Sequence, residues 1–316
     1  MINQDFWASD NWEKIQKLKI FPFFRKIYHI SLLTKQILLS AFFLPYLSLC
    51  HKLSLFHNKH KQDNLIISLT SYPKRIKYVF YTICSLLNQT TIPNKIILVL
   101  SIEEFPQKEK NLPKNLMKFD KEIFEILWVK GNIKSYKKYF YTMQSYPDCI
   151  CITVDDDIIY QRNTIANLLN CYKKNPTSIS ALCTNKLLVK KGEILNYSNA
   201  IQCYDNEICI PRFDLVAIGF AGILYPPSIL PQESFNLKLI HKCAPLADDL
   251  WLKFTELLNH TPVACAAKYK DPIIMIPSQG SALNKINRTQ NDIQMQNILK
   301  EFQNVDFINV INKKCP

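Results

Sequence analysis

Cys149-Ile150-Cys151-Ile152-Thr153-Val154-Asp155-Asp156-Asp157-Ile158-Ile159-Tyr160 is the stretch on which the fold turns. A short run rich in Ile, Val, Thr and Cys, opened by Pro147-Asp148, reads as a buried strand. It runs straight into three carboxylates. Like charges at the end of an apolar strand repel one another and resist burial. A cation removes that conflict. Oxygen ligands on a strand-end turn suit a hard ion such as Mg2+ or Mn2+, and such an ion commonly also holds substrate phosphates. Asp155 and Asp157 are spaced so that both can face one metal. The competing reading is an acidic surface turn whose carboxylates are simply solvated.

Working outward, the chain of 316 residues has room for one large or two small domains, and 48% hydrophobic residues is ample for a core. The formal charge of +13, from 39 Lys and Arg against 26 Asp and Glu, calls for an anionic partner: phosphate, nucleic acid or an acidic membrane surface. No nucleic-acid recognition motif accompanies the charge, so nucleic acid is set aside. Eleven Cys without a CxxC pair read as reduced thiols of a cytoplasmic protein. The six His form no zinc pattern; His57 and His60 sit in a Lys-rich linker.

Upstream of the acidic stretch, Asn64–Thr70 reads as a first strand and Ser71–Arg75 as a turn. Ile76, Val79, Phe80, Ile83, Leu86 and Leu87 repeat at helical spacing, and Lys95–Leu100 is a second strand. This is a parallel strand–helix–strand unit. Ile123–Val129 is a third strand, and a short helix over 135–143 leads into the acidic one. Ligands in open α/β sheets collect beyond the carboxyl ends of the strands. Thr70–Arg75, Ser101–Glu104, Lys130–Lys134 and Asp155–Asp157 are therefore expected to converge on one crevice.

Downstream, Asn163–Tyr172 is an amphipathic helix, and 178–217 reads as short strands and loops. Gly219 and Gly222 flank Phe220-Ala221 in a chain with only five Gly, where close backbone approach to a ligand or an ordinary turn would each account for them. Cys243–Leu252 opens a helix with Asp248 and Asp249 in its first turn. Capping of the helix would explain Asp248; with two acids, one can cap while the other faces the crevice as a base. A strand is expected at Pro272–Ile276 and a last helix near 292–302.

Residues 1–62 differ in character. Lys14, Lys17, Lys19, Arg25, Lys26 and Lys35 alternate with Trp7, Trp12, Phe21, Phe23, Phe24 and Tyr28, ahead of the apolar run Gln36–Leu47. Broken by Lys35 and Pro45, that run falls short of the ~20 residues that span a bilayer, and no signal-peptide cleavage site follows it. A helix lying in the membrane interface and a helical hairpin packed on the catalytic domain are the two main readings, with a true transmembrane span a distant third. His51–Asp63 reads as a polar linker.

Taken in order, Ile67–Ile76, Ile133–Lys138, Val154–Tyr160, Gly219–Pro227, Ala247–Leu252 and Asn291–Gln294 make the region 64–295 resemble bacterial glycosyltransferases of the GT-A type. The likeness is to the family 2 group that builds lipopolysaccharide and capsule. The resemblance implies a Rossmann-like α/β fold with a mixed sheet flanked by helices. Here this would be the catalytic domain 63–316, preceded by the helical extension 1–62. It implies a metal-dependent, inverting transfer from a nucleotide-sugar donor, UDP-sugar foremost, to a hydroxyl of a glycan or lipid-linked acceptor. Asp155 and Asp157 would bridge Mn2+ or Mg2+ to the diphosphate, with Asp156 near the donor ribose or sugar. Thr70–Arg75 would border the base through Tyr72 or Arg75. Lys134, Lys137 and Lys138 would bring positive charge to the donor, and Gly219–Gly222 would line donor and acceptor. Asp249 is favoured as the base, with Asp248 the alternative. The enzyme would sit peripherally on the anionic inner face of the bacterial inner membrane.

Three rivals stand beside this reading. A haloacid-dehalogenase-type phosphatase also carries Asp-x-Asp after a strand, but Ile159 stands where Thr or Val is usual. A nucleotidyltransferase would use the same metal site. A non-catalytic membrane-bound assembly protein would have had no reason to keep acids at both 155–157 and 248–249.

Overall fold

The structure, a computed structural model, describes residues 21–52, 61–203, 207–268, 273–275 and 284–315. Its centre is an eight-stranded mixed sheet. In chain order the strands are β1 (Lys61–Thr70), β2 (Ile92–Ser101), β3 (Phe124–Val129), β4 (Ile150–Thr153), β5 (Ile179–Ala181), β6 (Pro211–Arg212), β7 (Ile223–Tyr225) and β8 (Val263–Cys265). Across the sheet they lie in the order β6-β8-β5-β7-β4-β1-β2-β3. The flanking helices are α1 (Phe21–Lys52), α2 (Ile76–Leu87), α3 (Lys137–Ser145), α4 (Thr164–Lys174), α5 (Leu237–Cys243), α6 (Asp248–Leu258), α7 (Asn284–Glu301) and α8 (Phe307–Asn312).

The alternation of side chains along β1 explains the layering. Leu65, Ile67 and Leu69 face Val79, Phe80 and Ile83 of α2 in one core, whereas Ile66 joins Ile97, Val99 and Val129 in another. On that second face Ser68 and Thr142 of α3 share a hydrogen bond of 2.7 Å. Both faces are thus covered, as continuous apolar strands require. A further core joins β5, β7 and β8 to α6, α7 and α8 around the fully buried Trp251.

Strand direction sets where the loops gather. β1 runs parallel to β2 and β4, and β2 to β3. β7 is inserted antiparallel between β4 and β5, with Ile223 opposite Thr153 and Ala181. The first residue of β7 therefore meets the last residue of β4. The loop Gly219–Gly222 arrives at the same edge as Asp155–Asp157. Gly222 makes that entry at φ +107°, a left-handed conformation that favours glycine.

The expected strands, helices and parallel unit are present, and 178–217 is a set of short strands that includes a three-stranded antiparallel sheet (201–203, 184–186 and 215–217). The expected Pro272–Ile276 strand is seen as Ile273–Ile274, paired with Ile158–Ile159; its outer residues lie outside the described ones. All eleven cysteines are free thiols.

The N-terminal segment departs from expectation. α1 is one continuous helix through Lys35 and Pro45, so the apolar run is longer than the sequence suggested. Residues 33–52 are long and apolar enough to cross a membrane by length and composition alone, with mean hydropathy 1.4. The described part is no hairpin. Its inner side packs on the domain through buried Leu47 and Cys50, and His51 lies against Phe80 and Phe119 rather than in a linker. That packing outweighs the lost backbone donor of Pro45. Residues 1–20, with Trp7, Trp12, Lys14, Lys17 and Lys19, and 53–60, with His57 and His60, lie outside the described residues.

Candidate active site

The site is built at the carboxyl edge of β4. Asp156 and Asp157, both buried, are held by one guanidinium: Arg75 donates to Asp156 Oδ1 at 2.9 Å and its second terminal nitrogen stands 3.0 Å from Asp157 Oδ2. Arg75 reaches them because β1 pairs with β4, so the turn after β1 ends beside the turn after β4. Ser71, from the same turn, donates to the other oxygen of Asp156. Burial and the neighbouring Asp157 push the Asp156 carboxyl up to about 6, against the pull of Arg75 and Ser71. The turn is further fixed by Thr82, whose hydroxyl donates to the Asp156 and Ile158 carbonyls.

Asp155 is different. A third of its side chain is exposed, against 6% and 7% for Asp156 and Asp157, and it pairs with Lys138 Nζ at 2.9 Å. Its backbone N–H donates to the Tyr160 hydroxyl, which donates in turn to the Phe220 carbonyl. Tyr160 therefore ties the acidic turn to the 219–222 loop.

Across the cleft, α6 begins at Asp248 with Ala247 at the cap position and no side-chain cap. The capping reading of Asp248 is corrected accordingly: the helix starts at that residue, and its carboxylate turns to Lys138 Nζ at 3.5 Å. Asp249 Oδ1 accepts from the Gly219 N–H at 3.1 Å. A Cβ at Gly219 would lie 2.8 Å from Lys138 Nζ and 3.1 Å from Asp249 Oδ1, so only glycine leaves these groups their places. Burial and the adjacent Asp248 push the Asp249 carboxyl well above the usual carboxylate range, partly opposed by Lys138. Burial works against the charge of Lys138, but Asp155, Asp248 and Asp249 outweigh it and raise its pKa.

The other residues singled out by sequence divide. Of the three lysines, Lys138 occupies the cluster. Lys137 is buried but paired with Glu104 at 2.7 Å, and Lys134 is exposed at φ +54°; neither touches the carboxylates. The Lys137–Glu104 pair, with Glu103 accepting from the Gly131 N–H, does bring the ends of β2 and β3 together at the same edge. Thr70 donates its hydroxyl to the Val99 carbonyl, so that side chain serves the sheet. Tyr72 stacks beneath the Arg75 guanidinium, 5.8 Å from its ring centre. Sequence reasoning missed Ser71 and Tyr160. Tyr160 closes the acidic motif itself, and a tyrosine at the end of a buried strand was the available signal.

Five carboxylates thus surround two cations, Arg75 and Lys138, leaving the cleft with an excess of negative charge. No three His, Cys, Asp or Glu side chains form a ready metal cage among the described residues. A Mg2+-type ion needs only one or two carboxylates when substrate phosphates complete its shell. The half-open Asp155 suits that role as it stands, whereas Asp157 would share itself with Arg75.

No protein-family model matches the sequence, and no curated protein matches it. Among solved structures the chain is similar to residues 1–349 of TarS from S. aureus, with 13% identity and a TM-score of 0.39, over 78% of this chain and 81% of that one. The same fragment of TarS in complex with UDP-GlcNAc gives 11% identity and 0.39, over 78% and 79%. UTP-bound UGPase from Acinetobacter baumannii gives 8% identity and 0.38, over 78% and 98%. These are distant likenesses.

Proposed function

We propose that the protein is a glycosyltransferase that moves a sugar from a nucleotide-diphosphate donor to an acceptor hydroxyl, with inversion at the anomeric carbon. The observation that carries this is the pairing of two acidic groups on either side of one ammonium, that of Lys138. An acidic turn whose Asp155 is a third exposed faces a half-buried carboxylate, Asp249, that is fixed by the Gly219 N–H and kept apart from the turn by Lys138. A carboxylate with a raised pKa is suited to take a proton from a hydroxyl.

In this reading Arg75, Lys138 and Tyr72 border the donor, and Asp155 with Asp157 would hold Mn2+ or Mg2+. The metal, when bound, would neutralise charge developing on the diphosphate. Asp249 takes the proton of the acceptor hydroxyl as its oxygen bonds the anomeric carbon. The bond from that carbon to the diphosphate oxygen breaks, and the nucleoside diphosphate leaves with the electron pair. Gly219 holds Asp249 in position through its N–H, and Tyr160 keeps the acidic turn and the 219–222 loop in register.

The test is hydrolysis of a nucleotide-sugar panel, UDP-sugars first, with and without Mn2+ or Mg2+, on wild type and Asp157→Ala. The expected outcome is metal-dependent release of nucleoside diphosphate from one donor, lost in the variant. Release of pyrophosphate from a nucleoside triphosphate plus a sugar phosphate would replace the proposal with nucleotidyl transfer. No turnover and no metal-dependent donor binding would end it.

A further inference from the structure

The outer side of α1 has no partner in the described structure. Between Gln36 and Leu49, the residues it exposes are Ile37, Leu38, Ala41, Phe42, Pro45, Tyr46 and Leu49, an arc without a single charge. Leu38 and Phe42 are each 65% exposed, and Phe42 stacks on Tyr46. Lys35 and Lys52, both exposed, bracket the arc at either end. Apolar patches of this kind on a soluble surface mark an interaction site.

The inner side of the same helix is bound to the domain by specific hydrogen bonds. Ser40 donates to the Ile274 carbonyl at 3.1 Å, and the Ile274 N–H donates to the Gln36 side chain at 3.0 Å. Ile273–Ile274 pairs in turn with Ile158–Ile159, directly after the acidic turn. A helix tied to a folded domain from Gln36 to His51 cannot be surrounded by lipid on all sides there, so length and hydropathy alone do not make it a span. One apolar arc outward, one anchored face inward, terminal lysines and a chain of net charge +13 fit a different geometry. Helices with this pattern lie in the bilayer interface, with acyl chains taking the apolar arc and anionic headgroups the lysines.

We propose that α1 seats the protein on an anionic membrane surface, lying flat, with Leu38, Phe42, Tyr46 and Leu49 entering the acyl boundary. The experiment is co-sedimentation of the full chain with vesicles of phosphatidylcholine alone or mixed with phosphatidylglycerol, at low and high salt. Analytical ultracentrifugation without lipid accompanies it. Wild type is expected to pellet with the phosphatidylglycerol vesicles and less with phosphatidylcholine alone. Leu38→Glu with Phe42→Glu should lower partitioning about tenfold or more while the circular dichroism melt stays unchanged. Leu38→Ser with Phe42→Ser, milder at the same positions, should give the same direction. Lys35→Glu should weaken only the salt-sensitive part. A wild type that stays in the supernatant with both vesicles would overturn the proposal, as would binding that survives both double variants. A dimer that the double variants split, with vesicle binding unchanged, would assign the arc to a second copy of the chain instead.

Discussion

Lys138 stands between the two acidic groups, and its charge sets the proton affinity of Asp249. Removing it with Lys138→Met deletes the cation that stabilises ionised Asp249, so the acid limb of kcat/KM moves to higher pH, by about one unit or more. Asp248→Asn deletes the like charge and moves the limb to lower pH. A pH profile of donor turnover in the two variants reads both shifts; a limb that moves in neither would mean that another group takes the proton. Gly219→Ala makes a complementary case. The added methyl meets the side-chain ends of Lys138 and Asp249, not backbone, so the chain still folds while these groups are pushed from their places. Turnover should fall by about a hundredfold, the scale expected when a catalytic group is displaced by roughly an ångström. Asp155, Asp157 and the Asp248–Asp249 pair were legible because acids at strand and helix ends announce themselves, whereas Lys138 was only one of three lysines that the resemblance implied. That Arg75 grips Asp156 and Asp157 together was not legible, since it depends on which strand lies beside β4.

At the level of elements, β1 to β4 could be read because they are nearly uninterrupted apolar runs, and α2, α4 and α6 carry clear apolar stripes, whereas β5 to β8, two or three residues each, are too short to show a pattern. α1 could not. Its apolar residues go all the way round, so no stripe marks an inside, and Lys35 and Pro45 look like ends. Only tertiary contact, with Ser40, Leu47 and Cys50 turned to the domain, separates its two faces. The beginning of α6 teaches the same point from the other side. A local rule favours acids as caps, yet Ala247 takes that position and both aspartates are used by Lys138 and Gly219.

For the molecule as a whole, stability follows pH in part through one buried pair. Lys253 and Glu256 lie on the core side of α6 and are almost wholly buried. Burial pushes the Glu256 carboxyl from 4.5 up to about 7, with Lys253 opposing. Between those values the native chain keeps a proton that the unfolded chain has already released, so stability falls as pH rises from about 4.5 to 7. Burial also lowers the Lys253 ammonium to about 8. Above that value the unfolded chain binds the extra proton, and the trend reverses. Urea unfolding at pH 5 and pH 7 should show a loss of stability to which Glu256 contributes roughly 3 kcal/mol at most, and Glu256→Gln should remove that share. An unchanged slope in the variant would assign the dependence elsewhere.

The insertion of β7 between β4 and β5 also bears on the order in which the site can be assembled. Synthesis runs from the amino end, and domains organise as their segments emerge. β1 to β4 can pair as soon as they leave the ribosome, and Arg75 is then already at hand to quiet Asp156 and Asp157. The Gly219 loop and the acidic pair of α6 come only after the intervening short strands, and they complete a separate core. A nascent chain therefore carries the acidic turn for a long interval with nothing opposite it. The site is complete only once the second core has brought Asp249 to the Gly219 N–H.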